Sequence, residues 1–266
     1  MKSPLLPVLL GFFLIGIFAC QPAAKEAAEA EYGNPPAEGF NLEGSDAQAI
    51  AIADEVMEAS GGREAWDNTR HINWKFFGRR GLTWDKWTGN VRIELDTITW
   101  LVNINDETGN VYFNGQALEA EADSIQFWVN RGKSIWINDS YWLVMPFKLK
   151  DSGVTLKYMG EEASEDGNMA DKLQLTFEGV GRTPQNKYYV WVDKDSRLVS
   201  QWAYYPTVDT EEAQFVNPWI NYQKMGGIML SDDRGRFKHT DVMVFDELPE
   251  SVYTSPEKPE LNATAQ

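Results

Sequence analysis

Beyond Trp66 the hydrophobic period of the chain drops from about 3.6 residues to about 2, and that change decides what it can fold into. Ile72, Trp74 and Phe76 alternate with Asn73, Lys75 and Phe77, and Val91, Ile93 and Leu95 alternate with Arg92, Glu94 and Asp96. Ile98, Trp100, Val102 and Ile104 share one face. Further strands are expected at Leu173–Phe177, Tyr189–Val192, Leu198–Tyr204, Trp219–Tyr222, Ile228–Leu230 and Val242–Phe245. Turn chemistry separates these runs at Thr88-Gly89-Asn90, Thr108-Gly109-Asn110, Asp166-Gly167-Asn168, Lys194-Asp195-Ser196 and Asp233-Arg234-Gly235. Short connections make neighbouring strands antiparallel. Alternation gives each strand one buried face and one wetted face.

Two segments keep the helical period. Ser45 is the expected N-cap of a helix carrying Ile50, Ala53, Val56 and Met57, which Gly61-Gly62 stops. A second helix is expected over Ala117–Ile137, where Ala122, Ile125, Trp128 or Val129, and Ile135 or Trp136 recur. The order is helix, strands, helix, strands. It implies an α+β fold: a single curved antiparallel β-sheet, a half-barrel of roughly 9–11 strands, wrapped around or covered by two or more helices.

The N-terminus supplies a location. Lys2 precedes the uncharged stretch Leu5–Phe18, which is too short to span a hydrocarbon core about 30 Å thick. It fits the apolar region of a secretory signal. Ile17-Phe18-Ala19-Cys20 then resembles the bacterial lipobox, in which the cysteine is acylated and the bond before it is cut. Residues 1–19 are therefore expected to be a lipoprotein signal peptide, and 20–44 the lipidated Cys20 with a flexible Ala-, Glu- and Pro-rich tether. Residues 45–250 form the expected domain, and 251–266 a loose C-terminal tail. Membrane attachment would run through acylated Cys20, because a chain of net charge −16 gains nothing from anionic lipid. By resemblance to known sorting rules, Gln21 after the cysteine favours the outer membrane.

Composition narrows the chemistry. An acidic chain lacks the basic face that nucleic acid requires. One cysteine excludes an internal disulfide and any Cys-cluster metal site, and two histidines leave little for a His-rich one. Gly132-Lys133-Ser134 ends like a phosphate loop, but Phe127 stands where its first glycine belongs. Asp193-Lys194-Asp195-Ser196 opens like a calcium loop, but Leu198 replaces the turn glycine, so a hairpin turn is the simpler reading. No nucleophile elbow or zinc-protease motif occurs, and no cofactor is called for. His71 at a strand start reads as structural, and His239 as part of a surface loop.

Aromatic residues are abundant instead, with eleven Trp, ten Tyr and thirteen Phe. They either fill an ordinary core or line an apolar cavity open to solvent. Trp74, Phe76, Trp100, Trp128, Trp142, Trp191 and Trp202 are the candidate cavity residues.

Several motifs together resemble a known group. Gly61-Gly62-Arg63-Glu64-Ala65-Trp66 after the first helix, the hairpin from Tyr188 to Asp193 returning through Leu198-Val199, and Trp219–Gly227 before Ile228 are similar to the outer-membrane lipoprotein-sorting (LolA/LolB-like) proteins. Asn138-Asp139-Ser140-Tyr141-Trp142-Leu143 followed by Met145-Pro146-Phe147-Lys148-Leu149 resembles more closely an uncharacterised family of bacterial lipoproteins related to that fold. The resemblance implies a half-barrel whose apolar interior accepts lipid or acyl chains, with no catalytic residue. The expected function is a lipid-anchored, non-enzymatic envelope protein binding an acyl chain, a lipoprotein or another amphiphile. An aromatic-lined glycan-binding or glycan-hydrolysing lipoprotein stands as the alternative. So does an accessory subunit docking another envelope protein.

Overall fold

A computed structural model describes residues 33–261, together with Met1. The signal peptide, Cys20 and the first part of the tether lie outside the described residues. The alternation read from the sequence builds an antiparallel meander of β1 (His71–Phe76), β2 (Arg80–Asp85), β3 (Asn90–Leu95), β4 (Ile98–Asn103) and β5 (Thr108–Phe113), extended by the short β6 (Gln116–Ala117). Its register aligns Trp74, Leu82, Ile93, Trp100 and Val111 in one row across five strands. Ile72, Trp84, Val91 and Val102 make the next row. These rows form one hydrophobic cluster.

Helix α3 (Ala122–Val144) covers that face, with Val129, Gly132 and Ile135 buried against it. A Cβ on Gly132 would approach Trp100 Cδ1 to 3.0 Å. Gly132, whose phosphate-loop likeness the sequence already ruled out, is what lets the helix lie close to the sheet. The helix runs Ala122–Val144 rather than Ala117–Ile137, and a 3-10 turn at Met145–Lys148 containing Pro146 ends it.

The second half forms β7 (Val154–Ala163), β8 (Met169–Phe177), β9 (Lys187–Asp193), β10 (Val199–Tyr205) and β11 (Phe215–Pro218), paired in sequence. Leu173, Val190 and Trp202 stand in one row, and Leu175, Tyr188 and Tyr204 in the next. Helix α1 (Ala47–Ala59) buries Ala49, Ile52, Ala53 and Val56 in the core of this sheet, and α2 (Arg63–Asn68) follows it. A third sheet contains β12 (Ile220–Met225), β13 (Ile228–Arg234) and β14 (Phe237–Lys238), while β15 (Thr240–Phe245) pairs back to β1.

The fold is thus α+β and antiparallel. Among the described residues its strands are hydrogen-bonded into sheets of seven, five and three rather than one run of roughly 9–11. The breaks have physical causes. Helix α3 fills the connection between β6 and β7. Trp219, whose N–H still bonds Ser200 O at 2.7 Å, is the last residue to follow β10 before β12 diverges. Strands β2, β5, β7 and β11 and the two-residue β6 and β14 escape the sequence reading. Gly109, read as a turn, lies inside β5, where an added Cβ would stand 2.3 Å from Leu101 O.

Both chain segments flanking the expected 45–250 domain are corrected. Residues 33–44 dock rather than tether: Phe40 is buried, Ala37 N donates to Lys150 O at 2.9 Å, and Asn41 N donates to Val154 O at 3.0 Å. Ser45 is not the cap of α1. Its hydroxyl accepts from Leu156 N at 3.0 Å, while the N-cap residue Asp46 binds Lys157 Nζ and Tyr158 N. The expected loose tail begins instead with α4 (Ser251–Thr254), which buries Val252 and Tyr253. Tyr253 Oη meets His71 Nδ1 at 2.8 Å. Buried Arg92 donates to the carbonyls of Val252, Ser255, Pro256 and Glu257.

Candidate functional site

A cleft of about 390 Å³ opens between the second half of α3 and the long connection from β8 to β9. Trp136, Ile137, Tyr141 and Trp142 form the helix side. Val154, Phe177 and Tyr188 come from β7, β8 and β9, and Val180, Gly181, Arg182 and Thr183 from the connection. Ser134, Asn138, Ser140, Lys148, Asp151, Ser152 and Asn186 supply polar groups around it. Such a volume with mostly apolar walls and a few polar groups suits a small ligand.

The wall is an aromatic lattice. Tyr188 stacks on Trp202 at 5.3 Å and 8°, and Trp142 meets Trp202 edge-on at 4.7 Å. Phe177 stands perpendicular to Tyr188 at 5.7 Å, and Trp136 meets Trp84 edge-on at 5.1 Å. Geometries of this kind favour the ring quadrupoles and hold each wall residue in place.

The helix is pinned from behind. Arg80 donates from Nε and Nη2 to the buried Asp139 carboxylate at 2.6 and 2.7 Å. Burial nevertheless holds the Asp139 carboxyl above its usual range, outweighing the pull of Arg80 and Asn138. The carbonyl of Trp142 accepts from Arg234 Nη2 at 2.7 Å and from His239 Nε2 at 3.1 Å. Arg234 is fully buried, stacks 3.4 Å over Trp219, and is lowered to about 9 by burial. His239 is buried too, a correction to its reading as a surface residue. Burial first, and then the Arg234 charge, lower it to about 3, so it is neutral and donates from Nε2.

Of the seven candidate cavity residues, only Trp142 lines this cleft. Trp74 and Trp100 are sealed in the core of the seven-stranded sheet, and Trp202 lies fully buried behind the cleft wall. Trp128 packs on Trp100 and Phe113, and Phe76 meets Trp142 edge-on at 6.1 Å. Trp191 faces the other side of its sheet, with Lys172 Nζ 4.7 Å from its ring. Alternation groups residues by face, but it does not show where a helix leaves that face uncovered. The wall residues missed include Trp136, Tyr141, Phe177, Val180, Arg182 and Tyr188. A signal existed in the glycine- and proline-containing run between Phe177 and Lys187, long for a meander of short turns.

At the mouth Lys148 pairs with Asp151, and exposed Arg182 makes one long contact, Nη2 to Asn130 O at 3.5 Å. Asp151 is the one carboxylate among the lining residues. Among the described residues no three His, Cys, Asp or Glu side chains gather as a metal-holding group.

No family model matches the chain, and no curated protein does. Solved structures align with the chain over about three quarters of its length. The chain is similar to a DUF1329 family protein from Desulfovibrio piger at 13% identity and TM-score 0.43, over 77% of this chain and 96% of that one. It is similar to a LolA superfamily protein from Nitrosomonas europaea at 11% identity and TM-score 0.33, over 76% and 97%. A Vibrio parahaemolyticus domain designated an outer membrane lipoprotein-sorting protein aligns at 11% identity and TM-score 0.36, over 77% and 96%.

Proposed function

We propose that the protein is a lipid-anchored envelope component that holds the acyl chain of an amphiphile, free or carried by a lipoprotein, in the α3 cleft without transforming it. The cleft itself carries this reading: its walls are Trp136, Trp142, Phe177, Val180 and Tyr188, and its charged groups are the Lys148–Asp151 pair and the exposed Arg182. Glycosidic cleavage takes two facing carboxylates, whereas this lining offers Asp151 alone. The lipobox at Cys20 supports attachment to the membrane, and Gln21 the outer one.

Each buried methylene contributes about 0.8 kcal/mol, so ten give about 8 kcal/mol before ordering costs. That suffices for micromolar binding. Titration with fluorescent fatty acids of rising length tests the reading. Affinity is expected to saturate, to grow about fourfold per methylene, and to alter tryptophan fluorescence through Trp136 and Trp142. Absence of saturable binding, with a hit on a glycan array, would replace this function by glycan recognition.

A further inference from the structure

Coming from Cys20, the chain joins the domain beside the cleft. Asn34 Nδ2 donates to Asp54 Oδ1 at 2.8 Å, its carbonyl accepts from Lys150 Nζ, and Pro35 O accepts from Arg63 Nη1 at 3.3 Å. Further on, Gly39 O accepts from Gly153 N at 2.9 Å. Asn34, Pro35, Arg63, Trp66, Lys148 and Asp151 surround one small hollow, and Lys148 and Asp151 also line the acyl cleft. Helix α2 borders the hollow through Arg63 and Trp66. Arg63 pairs with Asp67 at 2.8 Å, and the Asp67 carbonyl accepts from the indole N–H of Trp87 at 3.0 Å. Trp87 is 59% exposed, with the Arg70 guanidinium 5.1 Å from its ring centroid. An open indole with a satisfied N–H and a cation beside it suits the boundary between lipid headgroups and water.

Tether length restricts which face can meet a membrane. Asn34 stands fourteen residues after Cys20, so the intervening chain reaches about 48 Å at most. A domain of this size is roughly 45 Å across, and a path round it to the far side is roughly 70 Å. The far side therefore cannot rest on a bilayer that holds acylated Cys20, whereas the side where Asn34 enters can. Charge does not oppose that contact. Asp54, Asp67, Asp85 and Asp151 are paired with Lys150, Arg63, Arg70 and Lys148 respectively. Resting on the acylation of Cys20 proposed above, we propose that the face bearing Asn34, α2 and Trp87 lies on a lipid bilayer. The Trp87 ring sits at headgroup level, and the Lys148–Asp151 end of the cleft turns toward the leaflet. An acyl chain then passes between bilayer and cleft without crossing bulk water. A second exposed aromatic, Phe127, lies about 27 Å along α3 from Met145 and on this arrangement remains in water.

Fluorophores on Thr88→Cys, Ser152→Cys and Phe127→Cys in the acylated full chain report the orientation, because acylation of Cys20 leaves the introduced cysteine as the only free thiol. Thr88 and Ser152 are both exposed, the first beside Trp87 and the second on the cleft lining. In vesicles of phosphatidylethanolamine and phosphatidylglycerol carrying a headgroup nitroxide, emission from Thr88→Cys and Ser152→Cys should be lost and that from Phe127→Cys retained. Retained emission at Thr88→Cys or Ser152→Cys, or an equal loss at Phe127→Cys, would overturn the orientation. So would a chain whose mass shows no acyl group on Cys20. Fatty-acid titration of the Thr88→Cys chain keeps the two readings apart. Saturable binding without quenching leaves acyl binding standing and removes this orientation, whereas quenching without saturable binding does the reverse.

Discussion

His239 and Arg234 show at the scale of single residues how charge is handled inside this fold. Both donate to one carbonyl, that of Trp142, and so fix the helix end that forms the cleft wall. A native histidine lowered to about 3 stays neutral where the unfolded one, near 6.5, takes a proton. The unfolded state then binds more protons between those values. Stability from this residue is therefore full above pH 6.5 and lost as pH falls toward 3. Between pH 7 and pH 5 the loss amounts to about 2 kcal/mol. His71, also lowered by burial, adds to the loss in the same direction. In His239→Gln, which keeps a side-chain N–H for Trp142 O, the fall measured by urea unfolding should shrink by about 2 kcal/mol; an unchanged fall would mean that His239 is charged in the native state. None of this was legible in the sequence. His239 was read as a surface residue, and nothing local marked Arg92, Asp139 or Arg234 as buried, because their partners lie far along the chain, on elements whose packing no local pattern encodes.

At the scale of elements, periodicity carried the reading well where strands are two-faced. The rows through Trp74, Ile93 and Trp100 are the ones the alternation names. It failed where a strand opens on polar residues, as β2 does at Arg80-Gly81, or loses its apolar face, as β7 does after Met159. It also failed at both chain segments, whose low hydrophobicity hides specific docking. Residues 251–257 cover the polar face of the seven-stranded sheet, where Asn73, Thr83 and Arg92 stand side by side. A chain ending at Glu250 strips four carbonyl acceptors from a guanidinium that is 2% exposed. Glu94 still pairs with the uncovered guanidinium, so the cost comes from those lost bonds and the lost burial of Val252 and Tyr253, together about 3 kcal/mol. Urea midpoints should therefore drop sharply for that chain and little for one ending at Pro259. Equal midpoints would return the segment to the status of a loose tail.

Across the whole molecule, the cleft is a product of assembly. Helix α3 runs from the core of the seven-stranded sheet, where Val129 and Ile135 are buried, to that of the five-stranded sheet, where Tyr141 and Trp142 pack. The connection between β8 and β9 closes the remaining side. The motif from Asn138 to Leu149 supplies five of the lining residues, Asn138, Ser140, Tyr141, Trp142 and Lys148. The motif was therefore visible in sequence as a pattern, while its role as a wall was not. Native mass spectrometry of the chain purified gently from bacterial envelopes tests the central claim most directly. The account predicts one acyl-bearing molecule retained per chain in the wild type, and none in Val180→Trp, where an indole would fill the cleft. An empty wild-type chain, or equal retention in Val180→Trp, would contradict it.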